Sequence, residues 1–170
     1  MLVLGIDPGS RTTGWGLVRR ERGRYVHVGS GALRPPREDA LPQRLLFIFQ
    51  GLRDVIALHQ PDVVAVEAIF RHKSTESALR LGHARGVILL AAAEAGLPIS
   101  EYNAIHVKHA LTGYGRAEKE QVARVVAMFL GVAIEGPRDV TDALAVAITH
   151  LAHARGPRPE LAAPDRRKKA

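Results

Sequence analysis

The chain has no cysteine in its 170 residues. That excludes a disulfide framework, a thiolate metal site and a cysteine nucleophile, and it makes the cytoplasm the expected compartment. Aromatic residues are scarce, with four Phe, three Tyr and one Trp, so an aromatic outside the core is a candidate contact. No long apolar run is present. The most apolar helical stretch, from Val87 to Ala93, is seven residues before Glu94, far short of the roughly 20 that a membrane span takes. The first apolar run has no basic stretch before it and is broken by Asp7, unlike a secretory signal. These absences read as a soluble protein with no membrane partner.

Hydrophobic residues make up 46% and charged residues 24%, a globular composition at a length that suits one domain with a proper core. The net charge is +7, and it is unevenly spread: residues 155–170 hold six basic and two acidic side chains, against 18 and 15 before them. That stretch is rich in Pro and Ala and ends Arg166-Arg167-Lys168-Lys169. It reads as a disordered basic arm, either a solvated tail or a loose contact to the phosphates of a polyanion. Residues 1–154 are then the folded domain.

Residues 2–7 read as a buried strand, and Thr13 to Arg19 and Tyr25 to Leu33 complete an antiparallel meander around the Arg22-Gly23 turn. A helix follows from Leu41, with Leu41, Leu45, Ile48, Leu52, Val55 and Ile56 on one stripe and Pro61 as its stop. Asp62 to Glu67 is a fourth strand. Ser74 is a candidate N-cap for a helix running to about Ala95, and Leu97 to Tyr102 is a short fifth strand. Helical pieces follow around Ile105 to Leu111, along Val122, Val125, Val126 and Phe129, and from near Asp139 through Leu151. This order predicts an α/β fold with a mixed five-stranded sheet flanked by helices. A right-handed crossover would lay the fourth strand parallel to the first.

Four carboxylates stand at the ends of these elements. Asp7 closes the run Leu2-Val3-Leu4-Gly5-Ile6, and Glu67 closes Val63-Val64-Ala65-Val66. Parity puts Val3, Gly5 and Asp7 on one face, and Val63, Ala65 and Glu67 on one face. In a parallel pair both acids would project at the carboxyl edge, where open α/β sheets bind ligands. Asp139 and Asp142, three apart at a helix start, share a side. Carboxylate oxygens are the hard donors that Mg²⁺ prefers, and two such ions can clamp a phosphodiester during in-line attack. Metal-dependent phosphodiester cleavage is the chemistry this pattern favours, with no covalent enzyme intermediate.

These positions also carry a resemblance. Gly5-Ile6-Asp7-Pro8-Gly9-Ser10 with Thr13-Gly14, Ala65-Val66-Glu67 with Phe70, Val107-Lys108, Ala117-Glu118-Lys119 with Gln121-Val122, and Asp139 with Asp142-Ala143-Leu144-Ala145 resemble the RuvC family. Its members are dimeric Holliday junction endonucleases on an RNase H-like fold. The likeness runs from residue 2 to about residue 153. It implies Asp7, Glu67, Asp139 and Asp142 as metal-binding carboxylates, with two Mg²⁺ ions per site and Mn²⁺ as an expected substitute. It implies Lys119 and Lys108 as basic residues at the active site, and Phe70 as an aromatic at the junction crossover. Four-way junction DNA, a homodimer and a RuvA–RuvB branch-migration complex are the implied substrate and partners. Some relatives carry His where Asp139 stands.

Each residue also has a plainer reading. Asp7 before Pro8-Gly9 is a turn former, Glu67 can pair with Arg71, and Asp139 can be an N-cap with Asp142 favoured by the helix dipole. Lys119 works against the dipole of its helix unless Glu118 and Glu120 offset it; placed there it can hold a phosphate oxygen. Lys108 can lie in the same cleft. Tyr114, like Phe70, can stack on a base or pack in a core, and Arg71 beside Phe70 counts with the DNA contacts. Gly82 and Gly86, four apart, let another helix approach, from this chain or from a second copy. Against the endonuclease stand an ATP-binding enzyme of the actin and sugar-kinase type, a non-catalytic junction binder and an RNA–DNA hybrid ribonuclease. The first needs a second phosphate loop that the chain lacks. Unligated acids would hinder the second, and the paired helix-start aspartates, Phe70 and the two lysines favour the junction enzyme over the third.

Overall fold

The strict alternation of the first strand makes it two-faced. In β1 (Leu2–Asp7), Leu2, Leu4 and Ile6 enter one core and Val3 enters another on the opposite side. The hairpin of β2 (Thr13–Glu21) and β3 (Arg24–Leu33) turns through Arg22 and Gly23, both at positive φ, 48° and 80°. That two-residue geometry matches the twist of paired strands. α1 (Leu41–His59) then crosses one face and delivers β4 (Val63–Ala68) parallel to β1. The computed structural model describes residues 1–68 and 75–154. Phe70, Arg71, the Ser74 cap and the basic arm of residues 155–170 lie outside the described residues.

The described part of α2 (Thr75–Glu94) leads to β5 (Ile99–Asn103), parallel to β4. The sheet order is β3-β2-β1-β4-β5, the mixed five-stranded architecture that the sequence predicts. Helices α1 and α2 cover the face of Leu4, Ile6, Val64 and Val66. Helices α3 (Ala104–Thr112), α4 (Lys119–Leu130) and α5 (Arg138–His153) cover the face of Val3, Val63 and Ala65. α5 is the central element there, with Leu144, Ile148 and Leu151 at most 1% exposed. Burying such a side chain contributes about 1.5–3 kcal/mol. No helix among the described residues is long and apolar enough to cross a membrane.

Two local expectations differ from what forms. In α4 the buried positions are Val122, Val126 and Leu130, a narrow stripe spaced by four. Phe129 falls at its edge, 37% exposed, with its ring 5.6 Å from Tyr25 of β3. In α5 the cap is Pro137, and no side chain caps the helix. Asp139 is therefore inside the first turn, and its plainer reading as an N-cap is ruled out.

Candidate active site

Pairing of β1 with β4 sets Gly5 against Ala65 and Ile6 against Val66. The next residues, Asp7 and Glu67, thus leave the sheet at the same edge and on the face that α5 covers. How closely α5 lies is decided by glycine. A Cβ on Gly5 would stand 2.0 Å from the Ala143 carbonyl oxygen, and one on Gly14 would stand 2.0 Å from the Asp139 carbonyl oxygen. Gly14 is also the pairing partner of Asp7. With no side chain at these two positions, the first turns of α5 rest on the β1–β2 backbone. Asp139 and Asp142 arrive beside Asp7 as a result.

The charges respond to this crowding. Burial pushes the Asp7 carboxyl up to about 9, aided by the negative charges of Glu67, Asp142 and Asp139. Glu67 is also raised, first by burial and then by Asp142, while Lys119 and Lys108 oppose the rise. Asp7 and Glu67 are hydrogen-bonded to each other, and the pair is held above the ordinary carboxylate range. Lys119 Nζ lies 2.9 Å from Asp142 Oδ2, and this hydrogen bond raises the lysine above its usual range. Of the two acids that could offset Lys119 in the plainer account, Glu120 pairs with Arg138 at 3.1 Å and Glu118 serves the capping box of α4.

Glu67, Lys108, Lys119 and Asp142 line one cavity of about 50 Å³ at this edge. Asp139 borders a neighbouring one of about 470 Å³ with Pro8, Gly9 and Arg11. Tyr114 stands 59% exposed in the turn between α3 and α4, so it is free of the core and open to a stacking partner. Phe70 and Arg71 lie outside the described residues. Among the described residues no three Asp, Glu or His side chains already stand together as a metal-holding group; Asp142 is turned to Lys119 and Asp7 is bonded to Glu67. The donor set is nonetheless of the right chemistry, all carboxylate oxygen. A divalent cation would offset the burial and the mutual repulsion that raise Asp7.

The part played by Gly5 and Gly14 is not foreseen by the carboxylate pattern. The available signal is their parity: they share the Asp7 face of adjacent strands, where a side chain would otherwise fill the core.

A stability prediction follows from the sign of the Asp7 shift. The folded protein binds this proton more tightly than the unfolded chain does, so the contribution is full below pH 3.8 and is lost as pH rises toward about 9. Glu67 acts in the same direction. Melting in a chelator should therefore show Tm falling between pH 5 and pH 9, and Asp7→Asn should flatten that slope. A wild-type Tm independent of pH over this window would contradict the described charge crowding.

Fold and site together define an α/β domain with an acidic centre at the carboxyl edge of its sheet, flanked by two lysines. A family model described as "Crossover junction endodeoxyribonuclease RuvC" matches residues 3–150. A protein of that name from Citrifermentans bemidjiense is 47% identical over 92% of this chain and 94% of its own length. Another, from Oleidesulfovibrio alaskensis, is 51% identical over 88% of this chain and 89% of its own length. Among solved structures, Thermus thermophilus RuvC in complex with a Holliday junction substrate superposes with a TM-score of 0.86 at 36% identity, covering 91% of this chain and 95% of that one. The chain belongs to the crossover junction endodeoxyribonuclease RuvC family.

Proposed function

We infer that this protein is a Holliday junction resolving endonuclease, which cuts DNA at four-way junctions during recombination and repair. The observation that carries this is the meeting of Asp7, Glu67, Asp142 and Lys119 at one sheet edge in a chain of this family. The relative solved with a junction substrate supports the choice of DNA. The test is cleavage of a synthetic four-way junction, a matched duplex and an RNA–DNA hybrid in Mg²⁺. Only the junction should be cut efficiently; preferential cutting of the hybrid would move the assignment to a ribonuclease.

Asp7, Glu67, Asp139 and Asp142 are the residues that would hold divalent metal, Mg²⁺ with Mn²⁺ as a substitute, two ions per site. When bound, such ions supply charge stabilisation at the phosphoryl group and a more acidic water. The side chains have their own tasks. Asp7 would have to be ionised to serve as a ligand, so metal would be held more weakly as pH falls. Lys119, 59% exposed on its side chain, meets the phosphate at the mouth of the cavity and offsets charge that grows on the oxygens. Lys108, which lines the same cavity, adds a second positive charge. Lys119→Met should lower the saturated cleavage rate roughly 10²–10³-fold, the scale for losing one preorganised donor to a developing oxyanion. Lys119→Arg should recover part of it. Unchanged single-turnover rates in the Met variant would reduce Lys119 to a tether for Asp142.

The junction has two equivalent strands to cut, and one chain holds one carboxylate set, so paired nicks call for an isologous dimer. α2 supports this: Leu79 and Leu90 are 61% and 59% exposed, and a Cβ on Gly82 or Gly86 would meet nothing within 4 Å among the described residues. Packing within the described chain makes no use of these glycines, which favours a seam with a second copy. A RuvA–RuvB branch-migration complex is proposed as partner from family membership alone.

A further inference from the structure

The carboxyl edge of the sheet carries a second feature, on the α1/α2 side of the catalytic loop. Arg11, Arg34, Arg37, Arg44 and Arg80 line a trough of about 940 Å³. They come from four separate segments. Arg11 lies in the loop after Asp7; Arg34 and Arg37 flank Pro35-Pro36 beyond β3; Arg44 is in the first turn of α1 and Arg80 is in α2. The Pro35-Pro36 pair fixes two φ angles, so Arg34 and Arg37 are presented on a stiff connection. Arg44 donates a hydrogen bond to the Ser10 carbonyl, and Thr13 Oγ1 donates to the Gly9 carbonyl at 2.7 Å. The floor of the trough is thereby tied to the loop that begins at Asp7.

Guanidinium groups gathered this closely repel one another unless anions answer them. Arg80 has Glu76 at 2.5 Å. Among the described residues no carboxylate forms an ion pair with Arg11, Arg34, Arg37 or Arg44. The trough also continues toward the reaction centre: Arg11, Thr12 and Arg80 line the next cavity as well, which Asp139 borders. A row of unanswered, bidentate donors leading away from an acidic cleavage centre suits a chain of phosphates that passes through that centre.

We propose that the Arg11–Arg34–Arg37 trough binds the sugar-phosphate backbone of one junction arm, on the side of the scissile phosphate away from Lys108 and Lys119. This rests on the junction-cleaving reading above. Contacts to phosphate carry no base information, so the trough sets the register and direction of the arm and contributes affinity that salt weakens.

The experiment is a salt titration of four-way junction binding in Ca²⁺, with single-turnover cleavage in Mg²⁺, for the wild type and for Arg11→Gln/Arg34→Gln/Arg37→Gln. Each phosphate contact adds about 0.9 to the log–log salt slope, so the triple variant should lose about 2.7. Junction affinity should fall roughly tenfold or more at moderate salt, with the loss of cleavage appearing in the half-saturating concentration rather than in the plateau rate. The corresponding triple Lys variant keeps the charges and should regain most of the slope, a recovery that a folding defect would not produce. A triple Gln variant with unchanged slope and affinity overturns the trough. So does one whose plateau rate collapses, since that would place these arginines in the chemistry. A wild type that cuts no junction at all would instead overturn the function proposed above, and the slope would still report whether the trough holds DNA.

Discussion

Asp7→Asn should bind a four-way junction at least as tightly as the wild type and cut it at least about a thousandfold more slowly. The residue closes β1 at the centre of the acidic cluster, where burial and three neighbouring carboxylates raise it to about 9. An amide of the same shape relieves that repulsion, so the folded domain gains rather than loses stability. In the metal-loaded site, where Asp7 is ionised, it also leaves one fewer negative charge in the path of the phosphate, which favours binding. What it cannot do is serve as an anionic ligand. Charge stabilisation by bound metal is worth several kcal/mol at the transition state, and each 1.36 kcal/mol is tenfold in rate. Gel-shift titration in Ca²⁺ and single-turnover cleavage in Mg²⁺ separate the two effects. Near wild-type cutting by the variant would remove the carboxylate cluster from the chemistry.

Gly5→Ala should destabilise the protein by about 3 kcal/mol or more, at the upper end of the overpacking range, and should depress cleavage with it. Strand glycines ordinarily behave in the opposite way, because alanine lowers the entropy of the unfolded chain and packs better. Here the added methyl would lie 2.0 Å from the Ala143 carbonyl and 2.8 Å from the Ala147 nitrogen, both backbone atoms of α5. The helix cannot yield locally, since Leu144, Ile148 and Leu151 hold it in the core. It must lift as a body, carrying Asp139 and Asp142 away from Asp7 and Glu67. Chemical denaturation measures the first loss and junction cleavage the second. A neutral or stabilising Gly5→Ala would mean that α5 does not seat on β1 as described.

These two variants mark what the sequence discloses and what it hides. The strands were legible because alternation such as Leu2, Leu4 and Ile6 against Val3, Gly5 and Asp7 encodes two buried faces, and the crossover followed from Pro61 stopping α1 before β4. Asp7 and Glu67 were legible for the same reason: parity and parallel pairing bring them to one edge. Asp142 follows from its position on α5. The ion pair of Lys119 with Asp142 spans 23 residues and depends on how α4 and α5 cross, which no local pattern states. The arginine trough draws on four segments with no basic run among them. The half-exposed place of Phe129 at the edge of its stripe is hidden because a helical stripe tells which residues face inward and not how wide the contact is. In each case the hidden part is the tertiary approach of elements, while the visible part is their internal period.

The central claim is that a carboxylate centre at this sheet edge cuts four-way junctions with the help of divalent metal. The most direct measurement is strand-resolved cleavage of a junction labelled in turn on each of its four strands, with Mg²⁺ titrated from zero against chelator. The expected result is no cutting without the cation, then nicks at matching positions on two opposed strands, with isolated duplex arms left intact. Equal cutting of the duplex arms, or nicks that persist unchanged in chelator, would contradict it.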